Sequence, residues 1–81
     1  MMHTGPQLRA KRAAHRISGA AVASKVGTSR SRLSEIECSY LKPPAEELDR
    51  IGLAIDEIVR ERQQLAKLAA DAGLSLAVLG L

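Results

Sequence analysis

The sequence predicts an all-α fold, and three observations carry that reading. First, hydrophobic residues make up 46% of the chain but aromatic residues only 1%. The core must therefore be built from Leu, Ile, Val and Ala, which suits packed helices better than strands, where aromatic and β-branched side chains are favoured. Second, no stretch alternates apolar and polar residues over a useful length, whereas apolar residues recur at helical spacing. Third, 81 residues hold one small domain.

The elements follow in order. Thr4 is placed to cap a first helix, with Pro6 tolerated in its first turn and Gln7 three residues on, as in a capping box. That helix runs from about Pro6 to His15, with Leu8, Ala10 or the stem of Lys11, and Ala14 toward the core. Met1 to His3 have no anchor. Ile17 fills the gap before Ser18, the natural cap of a second helix over 19–26. In that helix Val22 and Val26 face inward together. Thr28 or Ser29 caps a third helix over about 29–38. Two prolines in Ser39-Tyr40-Leu41-Lys42-Pro43-Pro44 require a loop. Glu46 and Glu47 then suit the first turn of a fourth helix. Leu48, Ile51, Ile55, Ile58, Arg62, Leu65, Ala69 and Ala72 continue it as a heptad-like stripe. Gly52 marks either a break or a close helix contact, Gly73 a C-terminal cap, and Leu74 to Leu81 an apolar tail.

Residues 19–38 are the most informative stretch. Ala23 is small enough to sit where the second and third helices cross, and Gly27 suits the turn between them. Leu33 and Ile36 point inward, which leaves Arg30, Ser31, Ser34 and Glu35 on an outer face suited to the edges of DNA bases. The charge distribution agrees. Residues 1–42 carry eight Lys and Arg against two acids, and residues 43–81 carry four against seven. A basic first half points to a polyanion partner.

Other classes find less support. One cysteine, Cys38, precludes an intramolecular disulfide and a cysteine metal site. No base-oriented nucleophile, carboxylate pair or phosphate loop suggests an enzyme. His3 and His15 read as surface residues, and no cofactor, metal or small-molecule ligand is expected. Neither a signal peptide nor a membrane-spanning run stands out, since 74–81 is too short, so the expected location is the cytoplasm.

Residues 8–54 resemble the Cro/repressor-type (Xre-like) helix-turn-helix family. The resemblance rests on Leu8-Arg9-x-x-Arg12, Ile17-Ser18 and Val22-Ala23-x-x-Val26-Gly27. It continues through Ser29-Arg30-Ser31-x-Leu33-Ser34-x-Ile36-Glu37, Lys42-x-Pro44 and Leu48-x-x-Ile51. It implies a lambda-repressor-like five-helix bundle that binds operator DNA as a two-fold dimer. It also implies a structural ion pair between Arg12 and Glu37, the alternative being two solvated charges. Two positions depart from the pattern: Gly19 replaces a common glutamine, and Ser39 a common glycine.

On this reading residues 4–58 form the DNA-binding domain and 59–81 a helical extension for dimerisation. The third helix enters the major groove. Ser29, Arg30, Ser31, Ser34 and Glu35 would contact bases, with Arg30 the best reader of guanine. Glu35 could accept from cytosine or pair with Arg30 or Arg32. Arg9, Arg16, Lys25, Arg32, Tyr40 and Lys42 would position the DNA backbone, although Tyr40 could also merely cover the loop. A homodimer would place two copies one helical turn, roughly 34 Å, apart. Ile58, Leu65, Leu68, Leu74, Leu76 and Leu79 are the candidate dimerisation residues. The expected function is a phage or prophage Cro-like or immunity repressor acting on double-stranded operator DNA. The alternatives are an antitoxin with the same motif and a helical protein–protein adaptor.

Overall fold

The computed structural model describes residues 3–73. They form four helices and no strand: α1 (Gly5–Ala14), α2 (Gly19–Val26), α3 (Arg30–Glu37) and α4 (Ala45–Asp71). The chain is all-α. No helix among these residues is long and apolar enough to cross a membrane.

Side-chain caps set three of the helix starts. Thr4 and Gln7 exchange two hydrogen bonds at α1, of 3.1 and 3.2 Å. The Ser18 hydroxyl accepts from the Ala21 amide and that of Ser29 from the Arg32 amide, each at 3.1 Å. These bonds satisfy amides that the first turn leaves without a helical partner. α4 begins after Pro44 without a side-chain cap and carries Glu46 and Glu47 in its first turn, where carboxylates complement the helix dipole.

Each helix is followed by a residue in the left-handed region: Arg16 (φ 55°), Gly27 (φ 85°), Ser39 (φ 64°) and Gly73 (φ 71°). After α1 the Ile17 amide donates to the Arg12 carbonyl and the Arg16 amide to that of Ala13. The pattern is a Schellman turn, and it sends Ile17 inward.

The core joins Leu8 and Ile17 to Val22 and Ala23 of α2, Leu33 and Ile36 of α3, and Ile51, Ile55 and Ile58 of α4. α1 therefore contributes less than the spacing predicts, since Ala10 and Ala14 are exposed. Its other buried residue is Gly5, where a Cβ would overlap the Ile36 carbonyl oxygen. That close approach seats the start of α1 on the end of α3.

The resemblance implies five helices, whereas residues 45–71 form one uninterrupted helix of 27 residues. Gly52 makes a close contact rather than a break: a Cβ there would lie 2.9 Å from Nε2 of His3. His3 is thus packed on α4 and does have an anchor. Ile58, grouped above with the dimerisation residues, is 8% exposed and packs into this chain's own core. Beyond Val59 the helix is mostly exposed, with Leu65 and Leu68 open at 41% and 63%. Leu74, Leu76 and Leu79 lie outside the described residues.

Candidate nucleic-acid interface

The segment from α2 to α3 is held from behind. Gly27 and Thr28 both donate backbone hydrogen bonds to the Ala23 carbonyl at 2.9 Å, and Ala23 itself is buried. Val22, Leu33 and Ile36 lie beneath. These contacts fix which side of α3 faces outward.

A charged clamp reinforces them. The Arg12 guanidinium donates from Nε and Nη2 to the two carboxylate oxygens of Glu37, at 2.8 and 2.9 Å. Its Nη1 donates to the Ile17 carbonyl at 2.9 Å. One side chain thus joins the end of α1, the following turn and the end of α3. The pair is well enclosed, with side chains 18% and 7% exposed. Hydrogen bonding to Glu37 raises the Arg12 pKa, against the opposing effect of burial.

On the outer side, Arg30, Ser31, Ser34, Glu35 and Tyr40 line one open depression. The turn after α3 delivers Tyr40 there. The Tyr40 and Leu41 amides both donate to the Glu35 carbonyl, at 2.9 and 3.1 Å, and the Ser39 amide donates to that of Ile36. This is a second Schellman turn, with Ser39 in the place glycine usually takes. Tyr40 is 86% exposed. Among the described residues Arg30 and Glu35 enter no ion pair. Ser29 stands apart from this group because its hydroxyl caps α3.

The residues expected to hold a DNA backbone are distributed differently. Arg9 and Lys42 are exposed, and Lys42 borders a separate hollow with His3, Ile36, Leu41 and Pro43. Arg16 occupies the left-handed position after α1, and its carbonyl, with that of His15, accepts from Arg62 of α4.

Arg32 and Lys25 already hold carboxylates. The Nε and Nη2 of Arg32 donate to Glu47 at 2.9 and 2.8 Å. Hydrogen bonding to Arg32 holds the Glu47 carboxyl below its ordinary pKa. The Lys25 ammonium contacts Glu61 and lies 3.5 Å from Glu57. Its pKa is raised, chiefly by the bond to Glu61. Sequence spacing gives no hint of Glu47, which lies fifteen residues from Arg32 on another helix. Glu57 and Glu61 do carry a signal, because acids four apart share one helix face.

No group of three or more metal-ligating side chains occurs among the described residues. In comparisons with protein-family models, curated proteins and solved structures, the chain matches none.

Proposed function

We propose that the chain is a sequence-specific regulator that binds double-stranded DNA through α3, in the manner of Cro/repressor-type helix-turn-helix proteins. The observation that carries this reading is the depression formed by Arg30, Ser31, Ser34, Glu35 and Tyr40. It gathers a guanidinium, two hydroxyls, a carboxylate and a phenol on one short helix and its following turn. Arg30 can donate two bonds to guanine O6 and N7, Glu35 can accept from a cytosine amino group, and either serine can serve a base or a phosphate. Such a mixed donor and acceptor set suits base edges better than a uniform phosphate surface. Self-association through the second half of α4, around the exposed Leu65 and Leu68, belongs to the same reading, because one short helix spans too few base pairs for selectivity.

Selection of duplexes from a random pool tests it, followed by titration of the enriched duplex with wild type and Arg30→Ala. Arg30 is exposed, so the variant is expected to keep its helical circular dichroism. It should lose about 1–3 kcal/mol of affinity for the enriched duplex and much less for scrambled DNA. A wild type that enriches no sequence, or a variant that binds both duplexes as wild type does, would exclude the reading.

A further inference from the structure

The cations of the α2–α3 segment fall into two classes. Arg30 has no carboxylate partner among the described residues, whereas Arg32 and Lys25 are occupied by α4. The geometry of that occupation resembles phosphate binding. Glu47 presents two oxygens to one edge of the Arg32 guanidinium, at 2.9 and 2.8 Å, as phosphate oxygens would. Lys25 sits between two carboxylates, so its immediate surroundings carry a net negative charge.

We infer that Glu47, Glu57 and Glu61 of α4 act as internal stand-ins for phosphate at Arg32 and Lys25, so that the chain's own fourth helix competes with DNA and limits its affinity. The inference rests on the DNA-binding reading above and adds a mode of regulation to it.

Exposure makes the exchange feasible. The Arg32 and Lys25 side chains are 44% and 30% exposed, and those of Glu57 and Glu61 more than half. Glu47 is the most covered at 13%, so exchange there proceeds from the open Arg32 side. Ion pairs in such settings are weak and screened by salt. A duplex, with its dense line of phosphates and its counterions to release, can displace carboxylates held this loosely. The enclosed Arg12–Glu37 pair cannot exchange in the same way. With Glu47 in place a phosphate meets a neutral pair at Arg32, and at Lys25 it meets repulsion.

The test compares Glu47→Gln and the double variant Glu57→Gln/Glu61→Gln with Glu46→Gln, by anisotropy titrations of a fluorescent random-sequence duplex across a salt series. Glu46 is adjacent and exposed, and among the described residues it holds no cation. It therefore reproduces the change in net charge of Glu47→Gln, and half that of the double variant, without freeing Arg32 or Lys25. The first two proteins should bind roughly fivefold more tightly at low salt, the effect of one added charge contact in water. Their log–log salt dependence should steepen by about one unit per freed cation, while that of Glu46→Gln stays at the wild-type slope. Equal slopes for Glu46→Gln and Glu47→Gln overturn the inference alone. So does weaker DNA binding by Glu47→Gln, which marks the pair as a mere tether between α3 and α4. If neither wild type nor any variant binds duplex, the DNA-binding reading falls and this inference with it.

Discussion

Two guanidinium–carboxylate pairs in this molecule share nearly the same local geometry and differ in how far water reaches the guanidinium. Arg12 and Glu37 meet through two bonds of 2.8 and 2.9 Å, and Arg32 and Glu47 through two of 2.9 and 2.8 Å. The first pair is enclosed between α1 and α3, and Glu37 is 6% exposed. Arg12 spends a third donor on the Ile17 carbonyl. The second pair is open to water on its Arg32 side, 44% exposed, while its Glu47 side chain is 13% exposed. Distance alone would rate them equal. Their surroundings decide otherwise, because the inner pair cannot be broken without leaving a charge away from water. When the outer pair breaks, Arg32 is readily rehydrated, and Glu47 regains water from that opened side.

Removing the inner carboxylate should separate the two pairs most sharply. Glu37→Ala leaves Arg12 without its partner and is expected to cost about 3–5 kcal/mol, a large share of the stability of a domain this size. Urea unfolding should show the midpoint falling with little change in slope. A midpoint unchanged by the substitution would erase the distinction.

Arg12→Lys sharpens the contrast by keeping the charge and removing the fork. Lysine cannot reproduce the paired bonds to Glu37 together with the bond to Ile17. A loss of roughly 1.5–3 kcal/mol is expected, the range for hydrogen bonds to charged groups. The parallel Arg32→Lys should shift the urea midpoint only slightly.

The smallest effect concerns salt and pH. The Glu47 carboxyl titrates below its ordinary value of 4.5, so folding favours its charged form. The stability it supplies is present above pH 4.5 and is lost as the pH falls through the lower, folded-state value. Glu47→Gln should therefore melt slightly below wild type near neutrality, and the two curves should converge in acid. They should also converge in concentrated salt, where the screening length falls to about 3 Å. Thermal melts over a pH series at two salt concentrations supply the check.

The helices were legible because their signals are local. Thr4, Ser18 and Ser29 lie one residue before the helices they cap, and the prolines end the α3–α4 loop where α4 begins. Gly27 announces its left-handed turn, but Arg16 and Ser39 adopt the same region without glycine. Their strain is offset by turn hydrogen bonds that no composition signal reveals. Gly5 carries no local signal of its role, because its need for a bare Cα arises from Ile36, thirty-one positions away. The outer face of α3 could be read from period alone, since burying Leu33 and Ile36 turns Arg30, Ser31, Ser34 and Glu35 outward. The partners of Arg32 and Lys25 could not, because they depend on how α4 is rotated and shifted against α2 and α3. Periodicity also says which face of α4 is apolar without saying where the core stops, which is why Ile58 was placed on the wrong side of that boundary.

The unbroken α4 has a consequence for time scales. At about 1.5 Å per residue it spans roughly 40 Å. The main core cluster holds it as far as Val59, and Arg62 is bonded back to the end of α1. Of the described residues beyond Val59, only Ala69 is buried. A peptide as short as residues 60–71 would scarcely be helical alone, since forming the first turn is the unfavourable step. Here the anchored half supplies that turn, and the remainder extends from it one bond at a time. Amide hydrogen exchange along α4 should therefore grade from protons released only by global unfolding near Ile51 and Ile55 to protons released by local opening in the exposed stretch of residues 60–65. A single helix would then report two different stabilities.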